Sequence, residues 1–192
     1  AVIQPAAFQD IELIPFFRVH QSRYMLYWPY STPDQLDARR ESSAREEASR
    51  RALERLTIDQ VAPGEQQPES DHFFEGSGSE AGVNFNRHWR HATDWFGYTL
   101  NDPEGEAKFL RIDYWGADRG RTFTIELNGV IVANVTSTGE HGPAFVSVDY
   151  PLTDEVMTNS KDGRHQLKFV AGENSVAGGI YGIRLLRDLP EK

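Results

Sequence analysis

Three histidines, His72, His88 and His91, come nearest to a reactive constellation in this chain. The last two fall in N-R-H-W-R-H-A-T-D-W-F-G-Y, residues 86–98, beside two arginines, two tryptophans, Phe96 and Tyr98. A three-histidine metal centre needs all three imidazoles within about 2.1 Å of one ion. The H-x-x-H spacing suits one helix face, whereas this stretch reads as a loop (86–91) leading into a strand. A transition metal is therefore disfavoured. Calcium needs only loop oxygens. It is compatible with the composition, with no EF-hand loop and no assignable ligand set.

Hydrolytic chemistry finds little support. A glycosidase needs two carboxylates roughly 5–9 Å apart, but 29 acidic residues make some such pair inevitable. There is no G-x-S-x-G elbow and no Walker or dinucleotide fingerprint. The absence of cysteine removes thiol nucleophiles, disulfides and zinc–thiolate sites. G-S-G-S-E at 76–80 reads as a flexible loop. The N-V-T sequon at 134–136 falls in an expected strand and reads as coincidence.

Saccharide binding fits the residue types better. It uses an aromatic face for apolar burial and a few placed polar groups for orientation. The available platforms are Trp89, Trp95, Tyr98, Trp115 and Tyr181. Trp95 and Tyr98 begin a strand and are expected in the core. Trp89 lies between charged residues. Trp115 opens W-G-A-D-R-G-R, where an arginine beside an aromatic could hold a hydroxyl or carboxylate, or staple the turn to Asp118. The candidate ligand-binding set is His72, Trp89, Arg90, Trp115 and Arg119.

The elements that must carry these residues are mostly strands. "RYMLYW" at 23–28 reads as one, with Pro15 marking an edge or bend before it. Residues 31–56 read as a charged connector helix. Thr32 and Gln35 form a capping box, Pro33 suits the first helical position, and Glu41–Arg45, Glu46–Arg50 and Glu47–Arg51 are i,i+4 pairs. Its apolar stripe is thin and small: Ala44, Ala48, Ala52 and Leu56. From Thr57 onward the period is two. Leu110, Ile112 and Tyr114 share a face, as do Phe123, Ile125 and Leu127. Asn128–Gly129 predicts a tight hairpin. Ala144, Val146, Val148 and Tyr150 form another face, Leu167 and Phe169 another. Tyr181, Ile183 and Leu185 are expected inward. "APGEQQPESD" reads as a turn-rich loop. About eight short strands without alternating helices predict an antiparallel β-sandwich, of jelly-roll type, over 57–192.

Charge narrows the partners. A net charge of −9 argues against nucleic acid and anionic membrane surfaces. No stretch approaches the roughly 18 apolar residues of a spanning helix. The first residues lack the basic and apolar regions of a signal peptide and read as a cut inside a longer protein.

One resemblance adds to this. In L-I-P-F-F-R-V-H-Q-S-R-Y-M-L-Y-W, the residues Pro15, Phe16, Phe17, His20, Arg23, Tyr24, Tyr27 and Trp28 resemble a segment near the end of the beta-L-arabinofuranosidase-like glycoside hydrolases, family 127 and its uncharacterised relatives. "HWRHATDWFGYTL", "YWGADRGRTFTIELNG" and "AGGIYGIRLL" are similar to a C-terminal extension found in such proteins. The resemblance implies an upstream α/α barrel with a zinc–cysteine site, a cysteine nucleophile and a glutamate. A chain without cysteine cannot hold that site. It implies instead a non-catalytic accessory fragment of a secreted or periplasmic protein. Residues 1–30 would then be the terminal β segment of a preceding domain, and the sandwich would be galactose-binding-like. Two functions follow as expectations: weak binding of plant-type oligosaccharides, or a ligand-free module that buttresses the barrel or mediates dimerisation.

Overall fold

The alternation read over 109–186 produces strands because it places Leu110, Ile112, Phe123, Ile125, Leu127, Leu167 and Phe169 on faces that one core can cover. All seven are at most 3% exposed. The computed structural model describes residues 31–190, so the aromatic segment expected at 11–30 lies outside the described residues. The described chain divides between Arg51 and Ala52 into two units, each described by itself.

Helix α1 (Pro33–Leu56) starts where its cap dictates. Thr32 N–H donates to Gln35 Oε1 at 3.0 Å and Gln35 N–H to Thr32 Oγ1 at 3.3 Å, the reciprocal bonds of a capping box. Glu41–Arg45 and Glu47–Arg51 pair along its length.

The second unit runs β1 (Thr57–Val61), α2 (Gln66–Asp71), β2 (Glu75–Asn84), β3 (Arg87–Asn101), β4 (Phe109–Trp115), β5 (Arg119–Leu127), β6 (Val130–Thr138), β7 (Phe145–Pro151), α3 (Asp154–Thr158), β8 (Arg164–Ala171) and β9 (Ala177–Leu186). All pairing is antiparallel. The strands follow the order β6-β5-β8-β3-β9-β4-β7, with β1 on β9 and β2 on β3. The long strand β3 joins the two layers. Its C-terminal half, Trp95–Asn101, pairs with β8, and Arg90–Ala92 pair with β9 across an irregularity. One layer is thus β6-β5-β8-β3 and the other β3-β9-β4-β7. Phe96, Tyr98, Leu100, Ile125 and Phe169 meet Leu110, Ile112, Ile180, Ile183 and Leu185 between them in one core. The fold is an antiparallel β-sandwich.

Three local expectations need correction. "APGEQQPESD" contains helix α2, because Pro68 sits in its first turn, where no intrahelical N–H is required. "GSGSE" lies within strand β2, with its register shift between Ser77 and Ser79. Gly78 there adopts φ +61, as a bulge allows. "NRHWRH" is not a loop. Phe85 and Asn86 both take positive φ, 49° and 63°, and close a two-residue hairpin between Asn84 and Arg87. The Asn128–Gly129 hairpin forms as read, with φ 56° and 80°.

Candidate functional site

The β2–β3 hairpin tip lifts Phe85 to the surface, where it is 60% exposed. Its ring stacks on the Trp115 indole at 4.3 Å and 28°. Trp115 meets Phe145 edge-on at 5.0 Å, and Phe145 meets Tyr181 at 4.9 Å. The result is a ridge of four aromatic rings drawn from the β2–β3 turn and strands β4, β7 and β9.

Tyr181 joins this ridge because β9 is irregular opposite β4. Asp113 pairs with Gly182 and Tyr114 with Ile180, which leaves Tyr181 without a partner on β4. That extra residue reverses the alternation. Ile180 and Ile183 enter the core cluster while Tyr181 packs outside it. Tyr181 is nonetheless buried, 9% exposed, as the period-two reading expects, but its ring packs on Phe145 rather than in the main cluster. Burial raises the Tyr181 phenol above its usual range, so it is a neutral hydrogen-bonding group at ordinary pH.

Charged groups flank the ridge. Arg87 lies 4.3 Å from the Phe145 ring centre and donates to Asp113 Oδ2 at 2.8 Å. Ser147 donates to Asp113 Oδ1 at 2.6 Å. Both oxygens of Asp113 are therefore held. Arg121 pairs with Asp118 at 3.3 Å, and its Nη1 is buried without a hydrogen-bond partner. Burial raises the Asp118 carboxyl above its ordinary value, against the lowering effects of Arg121 and His91.

Beside the ridge opens a cleft of about 350 Å³, walled by Arg87, His88, Asp113, Tyr181 and Arg184 and by the segment after β1. Gly182 lines it too. A Cβ at Gly182 would stand 2.7 Å from Asp113 Oδ2, so the missing side chain keeps both the cleft and the Asp113 position. Ridge and cleft together offer stacking faces, guanidinium donors and carboxylate acceptors, the groups that orient a polyhydroxylated ligand.

Residues 52–186 match the family model described as "Family of unknown function (DUF6805)". The chain belongs to this family. Residues 1–30 match a second model, DUF4986, a domain of unknown function. No curated protein matches the DUF6805 chain. Solved structures with a similar course include a family 35 carbohydrate binding module from an environmental isolate, 14% identical at TM-score 0.46, covering 66% of this chain and 90% of that one. A family 35 module from Clostridium thermocellum is 14% identical at TM-score 0.43, covering 65% and 95%. The ANXUR1 extracellular domain from Arabidopsis thaliana is 17% identical at TM-score 0.47, covering 69% and 40%. Likeness at this level carries no argument about ligands.

Within the DUF6805 domain the five residues singled out in the sequence part company. Trp115 lies in the ridge. Arg119 is exposed at the start of β5. Trp89 is half-buried, because it lies over its cross-strand partner Gly82, where a Cβ would fall 2.5 Å from the indole. Its ring also meets the His91 ring at 4.8 Å.

Arg90 is committed inside the protein. Its Nε and Nη2 donate to the two carboxylate oxygens of Glu69, the latter at 2.6 Å, and its guanidinium lies 4.0 Å from the Phe74 ring centre. Glu69 also accepts from Gly64 N–H at 2.7 Å and Tyr98 Oη at 2.8 Å. Burial pushes the Glu69 carboxyl up, but the bonds from Arg90, Gly64 and Tyr98 more than offset this and hold it below its usual value. This network clamps α2 onto β3. His72 has its Nε2 3.0 Å from Asp59 and its Nδ1 2.6 Å from the Pro68 carbonyl, so both ring nitrogens are engaged.

His88 and His91 are three apart on a strand and project to opposite faces. Among the described residues no group of three His, Asp or Glu side chains is placed to hold a metal. No helix among them is long and apolar enough to cross a membrane. Sequence reading missed Phe85, Arg87, Asp113, Phe145 and Arg184. Only Phe85–Asn86 carried a local signal, an asparagine between two short runs, and the phenylalanine beside it disguised the turn.

Proposed function

We propose that this β-sandwich is a non-catalytic carbohydrate-binding module. The observation that carries the reading is the exposed Phe85 ring stacked on Trp115, beside Arg87, Asp113 and an open cleft. A hairpin tip that holds a bulky residue at φ +49 spends conformational energy to present that ring. An apolar platform edged by fixed charged groups suits the faces and hydroxyls of a sugar. The resemblance of residues 11–30 to a segment of beta-L-arabinofuranosidase-like hydrolases supports a place in a longer, secreted glycoside hydrolase, with plant-type oligosaccharides as ligands and the catalytic domain upstream. The chain has no cysteine, so the cysteine chemistry of that family would reside elsewhere in such a parent.

Isothermal titration of the full chain against arabinan, arabinogalactan and pectic oligosaccharides tests the reading. The expected result is measurable heat with at least one of them, abolished in Phe85→Ala and Trp115→Ala. Silence with all three ligands overturns it and favours a ligand-free module whose exposed Val83 and Phe85, 59% and 60% accessible, dock on protein.

A further inference from the structure

The outer face of the β7-β4-β9-β1 layer carries one row of aligned side chains: Asp149, Arg111, Arg184 and Gln60. Two arginines stand directly opposite one another in that row, an arrangement that is destabilising unless each charge is answered. Arg111 is answered. Its Nε and Nη2 donate to the two oxygens of Asp149 at 2.6 and 2.7 Å. Arg87, on the far side of the cleft, is answered by Asp113. Arg184 is not. Its Nη1 donates to the Thr57 hydroxyl at 3.1 Å, and among the described residues no carboxylate forms a salt bridge with it. Asp113 and Glu54 act on it only at longer range, with Arg111 opposing them.

Among the described residues this half-buried guanidinium has no salt-bridge partner, in a chain of net charge −9. Burial lowers the Arg184 pKa from its ordinary value, and the more distant Asp113 and Glu54 only partly offset this. The group also lines the 350 Å³ cleft beside the aromatic ridge. A planar guanidinium pairs with a two-oxygen anion through parallel N–H···O bonds.

We infer that Arg184 selects saccharides bearing an anionic oxygen group, a carboxylate or a sulfate, which enters the Gly182-floored cleft while the sugar ring rests on the aromatic ridge. This rests on the carbohydrate-binding reading and names the class of ligand. Asp113, whose oxygens accept from Arg87 and Ser147, forms no salt bridge with Arg184.

The test is titration of the full chain with four probes: a galacturonan oligosaccharide, its methyl ester, a sulfated galactan oligosaccharide and a neutral arabinan oligosaccharide. The acid or the sulfated form should bind at least about tenfold more tightly than the uncharged ones, as a charge-assisted bidentate bond implies. Whichever of the two does so identifies the anion. Arg184→Gln should remove that preference, so that acid and ester bind alike, and Arg184→Lys should retain part of it. Thermal unfolding of both variants checks that the loss of the Thr57 bond has not unfolded the domain. If Gln destabilises, the Lys variant and the salt dependence of wild-type binding decide. Equal affinity for acid and ester, an unchanged preference in a folded Arg184→Gln, or binding of neutral sugar alone would overturn the inference and leave the carbohydrate reading standing. No binding of any probe would overturn both.

Discussion

Phe85 and Trp115 lie 30 positions apart in sequence, yet their rings stack at 4.3 Å. The contact joins a hairpin tip to the end of a different strand. It also holds Phe85 in a left-handed backbone conformation that a bulky residue avoids.

Phe85→Gly separates these two effects. Glycine relieves roughly 1 kcal/mol of backbone strain, and the lost aromatic pair costs about as much. The unfolding free energy should change by less than about 1 kcal/mol, while oligosaccharide affinity falls about tenfold or more. Chemical denaturation alongside titration measures both. A variant that binds as well as wild type would remove Phe85 from the site.

Gly182→Ala introduces a Cβ 2.7 Å from Asp113 Oδ2. Asp113 cannot move aside without loosening its bonds to Arg87 and Ser147. The expected cost is about 1–2 kcal/mol of stability, together with weaker ligand binding through a narrowed cleft. Unchanged melting and binding would show that the glycine floor is dispensable.

Arg90→Ala leaves the Glu69 carboxylate buried and short of its main partner. The pair is about one-tenth exposed on each side, and breaking it should cost about 3 kcal/mol. Acid should act on the same network. The folded Glu69 pKa lies below the unfolded value of 4.5, so its stabilisation is complete above that pH and is lost as pH falls through the folded value. Glu69→Gln should be less stable at neutral pH and flatter in its melting profile below pH 4.5.

His165 sets a second acid sensitivity. It is fully buried, and burial lowers its pKa below 6.5 despite the opposing pull of Asp102. The unfolded chain binds this proton more readily. Stability is therefore complete above pH 6.5 and declines as pH falls toward the folded value. Melting temperature followed between pH 7.5 and 5, in wild type and His165→Gln, should show a shallower decline in the variant. Parallel curves would assign the acid sensitivity to other groups.

The sequence by itself determined what depends on neighbours along the chain. The period-two faces of β4, β5 and β8 sent Leu110, Ile112, Phe123, Ile125, Leu127, Leu167 and Phe169 into the core. The Asn128–Gly129 turn and the Thr32–Gln35 cap also followed from adjacent residue types. Trp115 was legible as an aromatic at a strand end. The rest of the ridge and cleft was not, because each part depends on an unseen partner strand. One extra residue in β9 set the buried Tyr181 ring against Phe145 rather than in the main core cluster. The glycine opposite Trp89 drew the indole down onto β2. Glu69, in a stretch that reads as a loop, took Arg90 away from the surface. Asp149 bonds Arg111, and among the described residues Arg184 beside it forms no salt bridge. Alternation is a local property of the chain, whereas register, bulges and the pairing of charges arise only when distant strands meet.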